Sequence, residues 1–95
     1  MAVTASVAAS ASSVQLFAAP STQQPGWIPA TVNGRTVFND SAAVLYLKFG
    51  VTASATDYTV QIPAGGYYEF PWPVYAGEVD GIWASANGNA RLTSW

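Results

Sequence analysis

From Arg35 onward the chain is cut into short alternating runs by turn-forming residues, a punctuation that accommodates strands and leaves no room for a helix. Arg35 to Phe38 (RTVF) reads as a strand stopped by Asn39-Asp40-Ser41. Ala43 to Phe49 (AVLYLKF) is the strongest strand. Val44, Tyr46 and Lys48 point one way and Leu45, Leu47 and Phe49 the other, since successive strand side chains take opposite faces. Both faces are largely apolar, which predicts a central strand with Lys48 at its rim. Asp57 to Ile62 alternates, with Tyr58, Val60 and Ile62 inward. Pro63 to Gly66 is a turn, and Tyr67 to Phe70 is a strand ended by Pro71, Trp72 and Pro73. Glu78 to Ala86 leads into Asn87-Gly88, a pair that tolerates positive φ at both centres of a two-residue hairpin. Such a hairpin places Trp83 opposite Leu92 and Ser85 opposite Ala90, with the last strand over 89–95. The sum is seven or eight short strands in an all-β chain, a small antiparallel β-sandwich or jelly roll.

The preceding residues differ in character. No charged side chain occurs before Arg35, and residues 1–20 are rich in Ala, Ser, Val and Thr with no apolar stripe at helical spacing. They read as an extended N-terminal arm with a strand at 13–18, followed by a Pro/Gly loop over 21–34 and the sandwich body over 35–95, one domain in all. The arm has two readings: a first strand of its own body, or a strand added to a neighbouring subunit. Its lack of charge suits a buried path and favours the second. It has no positive n-region, which argues against a signal peptide, and no apolar window reaches the length of a membrane-spanning helix.

Only 8% of residues are charged, against about 25% in average chains, and there is neither His nor Cys. Five acids and three bases give a net charge of −2, which leaves no basic surface for a phosphate backbone. The usual zinc, haem and iron–sulfur ligand sets cannot be built, and neither a cysteine nucleophile nor a histidine base exists. Glu78 and Asp80 share a strand face, but acids beside a glycine turn are usually solvated. A Ser–Lys pair would need Lys48, which reads as structural. Gly65-Gly66 precedes a strand, whereas phosphate loops open helices. The expectation is a chain with no enzymatic activity, no cofactor, no metal and no nucleic-acid or membrane partner.

The aromatic segment Tyr67, Tyr68, Phe70, Trp72 and Tyr75 is the best site candidate. Alternation sends Tyr68 and Phe70 to the core and leaves Tyr67 and Glu69 outside. Trp72, between two prolines, cannot lie in a central strand. The segment reads as a loop capping the sandwich end, as an intersubunit contact, or as a sugar-stacking platform. With the arm included, the candidate interface residues are Val14, Leu16, Phe17, Trp27, Tyr67, Trp72 and Tyr75.

The stretches FNDSAAVLYLKFG, VTASATDYTVQIPAGGYYEFP and VDGIWASANGNARLTSW together resemble a widespread type of small bacteriophage virion structural protein, over Arg35 to Trp95. The resemblance implies a virion location and carries no catalytic residue. A capsid decoration (cement) protein fits it best: a homotrimer on the head surface, bridging subunits of the major capsid protein. A tail or fibre accessory is the alternative within the virion, and a carbohydrate-binding module using Trp27, Tyr67 or Trp72 the alternative outside it.

Overall fold

The computed structural model describes residues 2–19 and 32–95. They form eight strands: β1 (Val3–Ala8), β2 (Val14–Phe17), β3 (Arg35–Ser41), β4 (Leu45–Phe49), β5 (Val60–Ile62), β6 (Tyr67–Glu69), β7 (Val79–Trp83) and β8 (Gly88–Ser94). Two four-stranded sheets result, ordered β1-β8-β3-β6 and β2-β7-β4-β5, with every pairing antiparallel. Pairing joins β1 to β8, β2 to β7, β3 to β6 and β4 to β5, as in one long hairpin rolled upon itself. That is the jelly-roll arrangement of a double-sheet sandwich. Among the described residues no helix is long and apolar enough to cross a membrane.

The core lies between the sheets. Val37, Leu45, Leu47, Val79 and Ala90 are fully buried, with Ile62, Trp83 and Leu92 nearly so. β4 has the alternation and the interior position expected of it, between β7 and β5.

Four local expectations are corrected. Asn39-Asp40-Ser41 does not stop β3, which runs through Ser41. The reason is that Asn39 is fully buried and satisfied. Its Nδ2 donates to the carbonyls of Ala43 (2.8 Å), Ile62 (2.9 Å) and Pro63 (3.0 Å), and its Oδ1 accepts from Ser41 Oγ and Trp83 Nε1. A buried asparagine with these partners costs the strand nothing.

Asn87-Gly88 does not make a hairpin. β7 is already flanked by β2 and β4, so it has no free edge for β8, which inserts between β1 and β3 in the other sheet. Trp83 therefore faces Leu45, and Leu92 faces Val37 and Ala5. Glycine is needed at 88 for a different reason: φ is +107°, and a Cβ would sit 2.6 Å from the Asp40 carbonyl oxygen and Ser41 Cα.

The segment read as an extended arm forms β1 and β2, each paired within the same chain. Leu16 and Phe17 are 7% and 8% exposed and belong to the protein's own core. They are therefore not surface available to a neighbour. Tyr58, expected inward, precedes β5 and lies outside, its ring tilted at 52° to that of Tyr46 with centroids 5.1 Å apart, and it accepts a hydrogen bond from Gln61 Nε2.

Candidate functional site

The most developed surface feature is built at one end of the roll, where the segment after β6 folds back over the core. Phe70 is 5% exposed and meets Phe17 edge-on at 5.6 Å and Phe49 in a stack at 4.9 Å. Tyr75 lies parallel to Phe49, 4.8 Å away with 4° between the rings. Of the three readings of the aromatic segment, the capping loop describes Phe70 and Tyr75. Tyr75, a candidate interface residue, is half-buried in this stack. Val14, another candidate, is half-buried against the core.

Arg35 pins the loop down. It is 3% exposed, with its guanidinium carbon 4.7 Å from the centre of the Phe17 ring. Nη1 donates to the carbonyls of Tyr75 (3.0 Å) and Gly77 (2.7 Å), and Nη2 to those of Ala18 (3.0 Å) and Ala76 (3.3 Å). Among the described residues no carboxylate is paired with it, and the buried charge is held by four carbonyl dipoles and an aromatic face. Burial lowers the affinity of this guanidinium for its proton, an effect partly opposed by Tyr75. Its Nε is buried and finds no hydrogen-bond partner among the described residues. The sequence contains one clue to Arg35, a lone charge between a glycine and an apolar strand.

Beside Arg35 a cleft of about 330 Å³ opens between Asn33, Gly34, Glu69, Phe70, Trp72, Val74 and Trp95. Trp72 is 82% exposed and Trp95 43%. Trp95 is fixed by its backbone: its carbonyl accepts from the amides of Asn33 (2.6 Å) and Gly34 (3.0 Å), and its amide donates to the Gly34 carbonyl (3.0 Å). Its indole lies so close over Gly34 that any Cβ there would enter the ring. Trp95 was not singled out in the sequence, since it lies at the end of a strand pattern and its carbonyl and amide partners are distant in sequence. Tyr67, 61% exposed on β6, lies outside the cleft. Trp27 lies outside the described residues, as does most of the 21–34 loop.

The acids do not assemble into a centre. Asp80 is buried, and its Oδ2 accepts from the Thr52 amide (3.1 Å) and Ser13 Oγ (3.5 Å), tying the start of β2 to the β4–β5 connection. Hydrogen bonding with Asp80 in the first place, then burial and the charge of Asp80, raise the Glu78 carboxyl above its ordinary value. Lys48 is paired with Asp57 at 2.6 Å, and Arg91 with Asp40 at 3.1 Å. Among the described residues no three His, Cys, Asp or Glu side chains converge to hold a metal ion.

In comparisons with protein-family models, curated proteins and solved structures, the chain finds no match.

Proposed function

We propose that this chain is a non-catalytic structural protein of a phage virion, in its most economical form a capsid decoration protein that bridges subunits of the major capsid protein. Its partners are virion proteins and further copies of itself in a homotrimer, and its place is the head surface. The observation that carries the reading is the contrast among the four sheet edges. β5 and β6 are three residues long, β5 followed directly by Pro63 and β6 carrying Glu69 with Pro71 two residues on. β2 is broken by a register shift between Gln15 and Phe17. Such features blunt an edge against further pairing. β1 has none of them: six uncharged residues in unbroken register with β8, five of them exposed. An unprotected edge of this kind suits strand addition in an assembly.

Two further features support the reading. The scarcity of charge lowers the desolvation cost of covering the surface, and Trp72 and Tyr67 expose the residue types that dominate interface energetics. Jelly rolls recur in viral capsid and lectin domains, which is analogy at the level of fold.

Quantitative gel densitometry of purified particles tests the proposal. The expected result is a copy number in the hundreds per particle, with immunogold label over the head. A few copies, or label confined to the tail, would overturn the decoration role.

A further inference from the structure

We infer that the cleft between Trp72 and Trp95 is a binding site for a neutral saccharide ring. The argument starts from its walls. Trp72 projects from a short segment held by Pro71 and Pro73 and is the most exposed large side chain described. Nothing in the core requires it: Phe70 and Val74, two residues to either side, supply the capping contacts. Trp95 presents a partly exposed indole on a backbone clamped to Asn33 and Gly34. Tryptophan faces at a cleft offer large flat apolar area at low entropic cost on binding, because only two side-chain torsions need to be fixed.

The polar groups choose among ligands that stack. Asn33 brings an amide, with donors and an acceptor, and Glu69 a carboxylate that accepts. Paired acceptor and donor groups beside a flat apolar wall match a pyranose, which has a C–H face and a rim of hydroxyls. An anionic ligand is disfavoured: Glu69 stands in the cleft and the chain is net negative. Arg35, the nearest cation, already gives both terminal nitrogens to carbonyls. A metal-bridged ligand is unsupported, since among the described residues Glu69 is the only acid lining the cleft. The volume, about 330 Å³, is at the low end of ligand clefts, roughly 300–1,000 Å³, and fits one or two sugar rings.

This inference shares Trp72 with the interface reading above, but its test is made on the isolated chain, so its failure and the failure of the virion reading are distinguishable. The test is a titration of the full 95-residue chain with a panel of neutral mono- and oligosaccharides up to on the order of 10 mM, which detects millimolar binding. The readout is the indole N–H signals in a nitrogen–proton correlation spectrum. The expected result is saturable shifts of the Trp72 and Trp95 signals with one sugar class. Trp72→Ala should weaken binding about tenfold or more and Trp72→Phe should restore part of it, while Tyr67→Ala leaves it unchanged. Glu69→Gln should weaken binding while leaving the amide spectrum of the core intact. Absence of shifts across the panel overturns the inference, as does binding that survives Trp72→Ala. Preference for a proline-rich peptide over every sugar, the other ligand that aromatic grooves take, also overturns it.

Discussion

Trp83 Nε1 donates a hydrogen bond to Asn39 Oδ1 at 3.1 Å, and both side chains are sealed in the interior. The bond crosses from one sheet to the other, since Asn39 is in β3 and Trp83 in β7. Asn39 also serves three carbonyls near the β3–β4 turn and the end of β5, so one side chain fixes the offset between the sheets. Asn39→Ala leaves the Trp83 indole N–H buried without its partner and takes a donor from three carbonyls, of which Ala43 keeps Ser41 Oγ and Pro63 keeps the Gly66 amide. At about 1–3 kcal/mol for each unsatisfied group, with partial relaxation, the expected loss is about 3 kcal/mol in urea unfolding. Trp83→Phe, which removes one donor and part of a ring, should cost less in tryptophan-independent assays such as far-ultraviolet circular dichroism. Equal stability of Asn39→Ala and the parent chain contradicts this role.

The aromatic cap and the cleft respond differently to truncation. Phe70→Ala empties a site packed by Phe17, Phe49 and Tyr68 and should cost about 3–5 kcal/mol. Trp72→Ala removes a side chain that lies mostly in solvent and should stay within about 0.5 kcal/mol. Paired denaturant melts of the two variants check both statements. A large loss for Trp72→Ala would assign that residue to the core rather than to a site.

Gly88 opens β8 directly against Asp40 and Ser41, with φ at +107°. Gly88→Ala combines an unfavourable backbone conformation with a steric overlap at 2.6 Å, and about 3 kcal/mol of destabilisation is expected. The thermal midpoint measures it. A gain or no change, as at a hairpin glycine with space around it, would show that the strand start relaxes freely.

Glu78 gives the stability a pH dependence of definite sign. Its folded value lies above the ordinary 4.5, so the folded state holds this proton more firmly than the unfolded one does. The contribution is present below the unfolded value and is lost as pH rises through the raised folded value. Relative to Glu78→Gln, the parent chain should therefore lose stability as pH rises from the ordinary value of 4.5 through the raised folded one. Denaturation midpoints of both proteins across that range provide the check, and a parent chain that gains on the variant with rising pH reverses the sign.

What was legible in the sequence is what is decided locally. The alternation puts Leu45 and Leu47 on one face of β4 and Tyr46 and Lys48 on the other, though the apolar character of both leaves open which is buried; around β6 it sends Phe70 inside and Tyr67 outside. The identity of a strand's partner is decided elsewhere. Asn87-Gly88 has the chemistry of a hairpin, yet the neighbours of β7 are set by Val14 and Leu45, dozens of residues away. Asn39 looked like a strand stop because its acceptors, the carbonyls of Ile62 and Pro63, are invisible to any local window. The burial of Arg35 is beyond a local window for the same reason, as the carbonyls that hold it lie at 18 and 75–77. Of the candidate site, Trp72 stands out through its residue type and its place between two prolines, whereas Tyr67, marked by the same reasoning, lies outside the cleft. Trp95 did not, because its place opposite Gly34 depends on β3 and β8 being neighbours.

The pairing of β1 with β8, β2 with β7, β3 with β6 and β4 with β5 has a kinetic consequence. β4 and β5, joined by residues 50–59, are the nearest of these pairs in sequence; every other pair brings together ends farther apart along the chain. During synthesis the earlier half of the roll therefore emerges without partners, its first strands depending on the last ones made. Topologies of this sort belong to the slow end of single-domain folding, on the order of milliseconds to seconds. Over that interval the uncharged strand β1 is an open edge seeking a match. The same lack of charge that suits it to assembly exposes it to mispairing before its own β8 arrives.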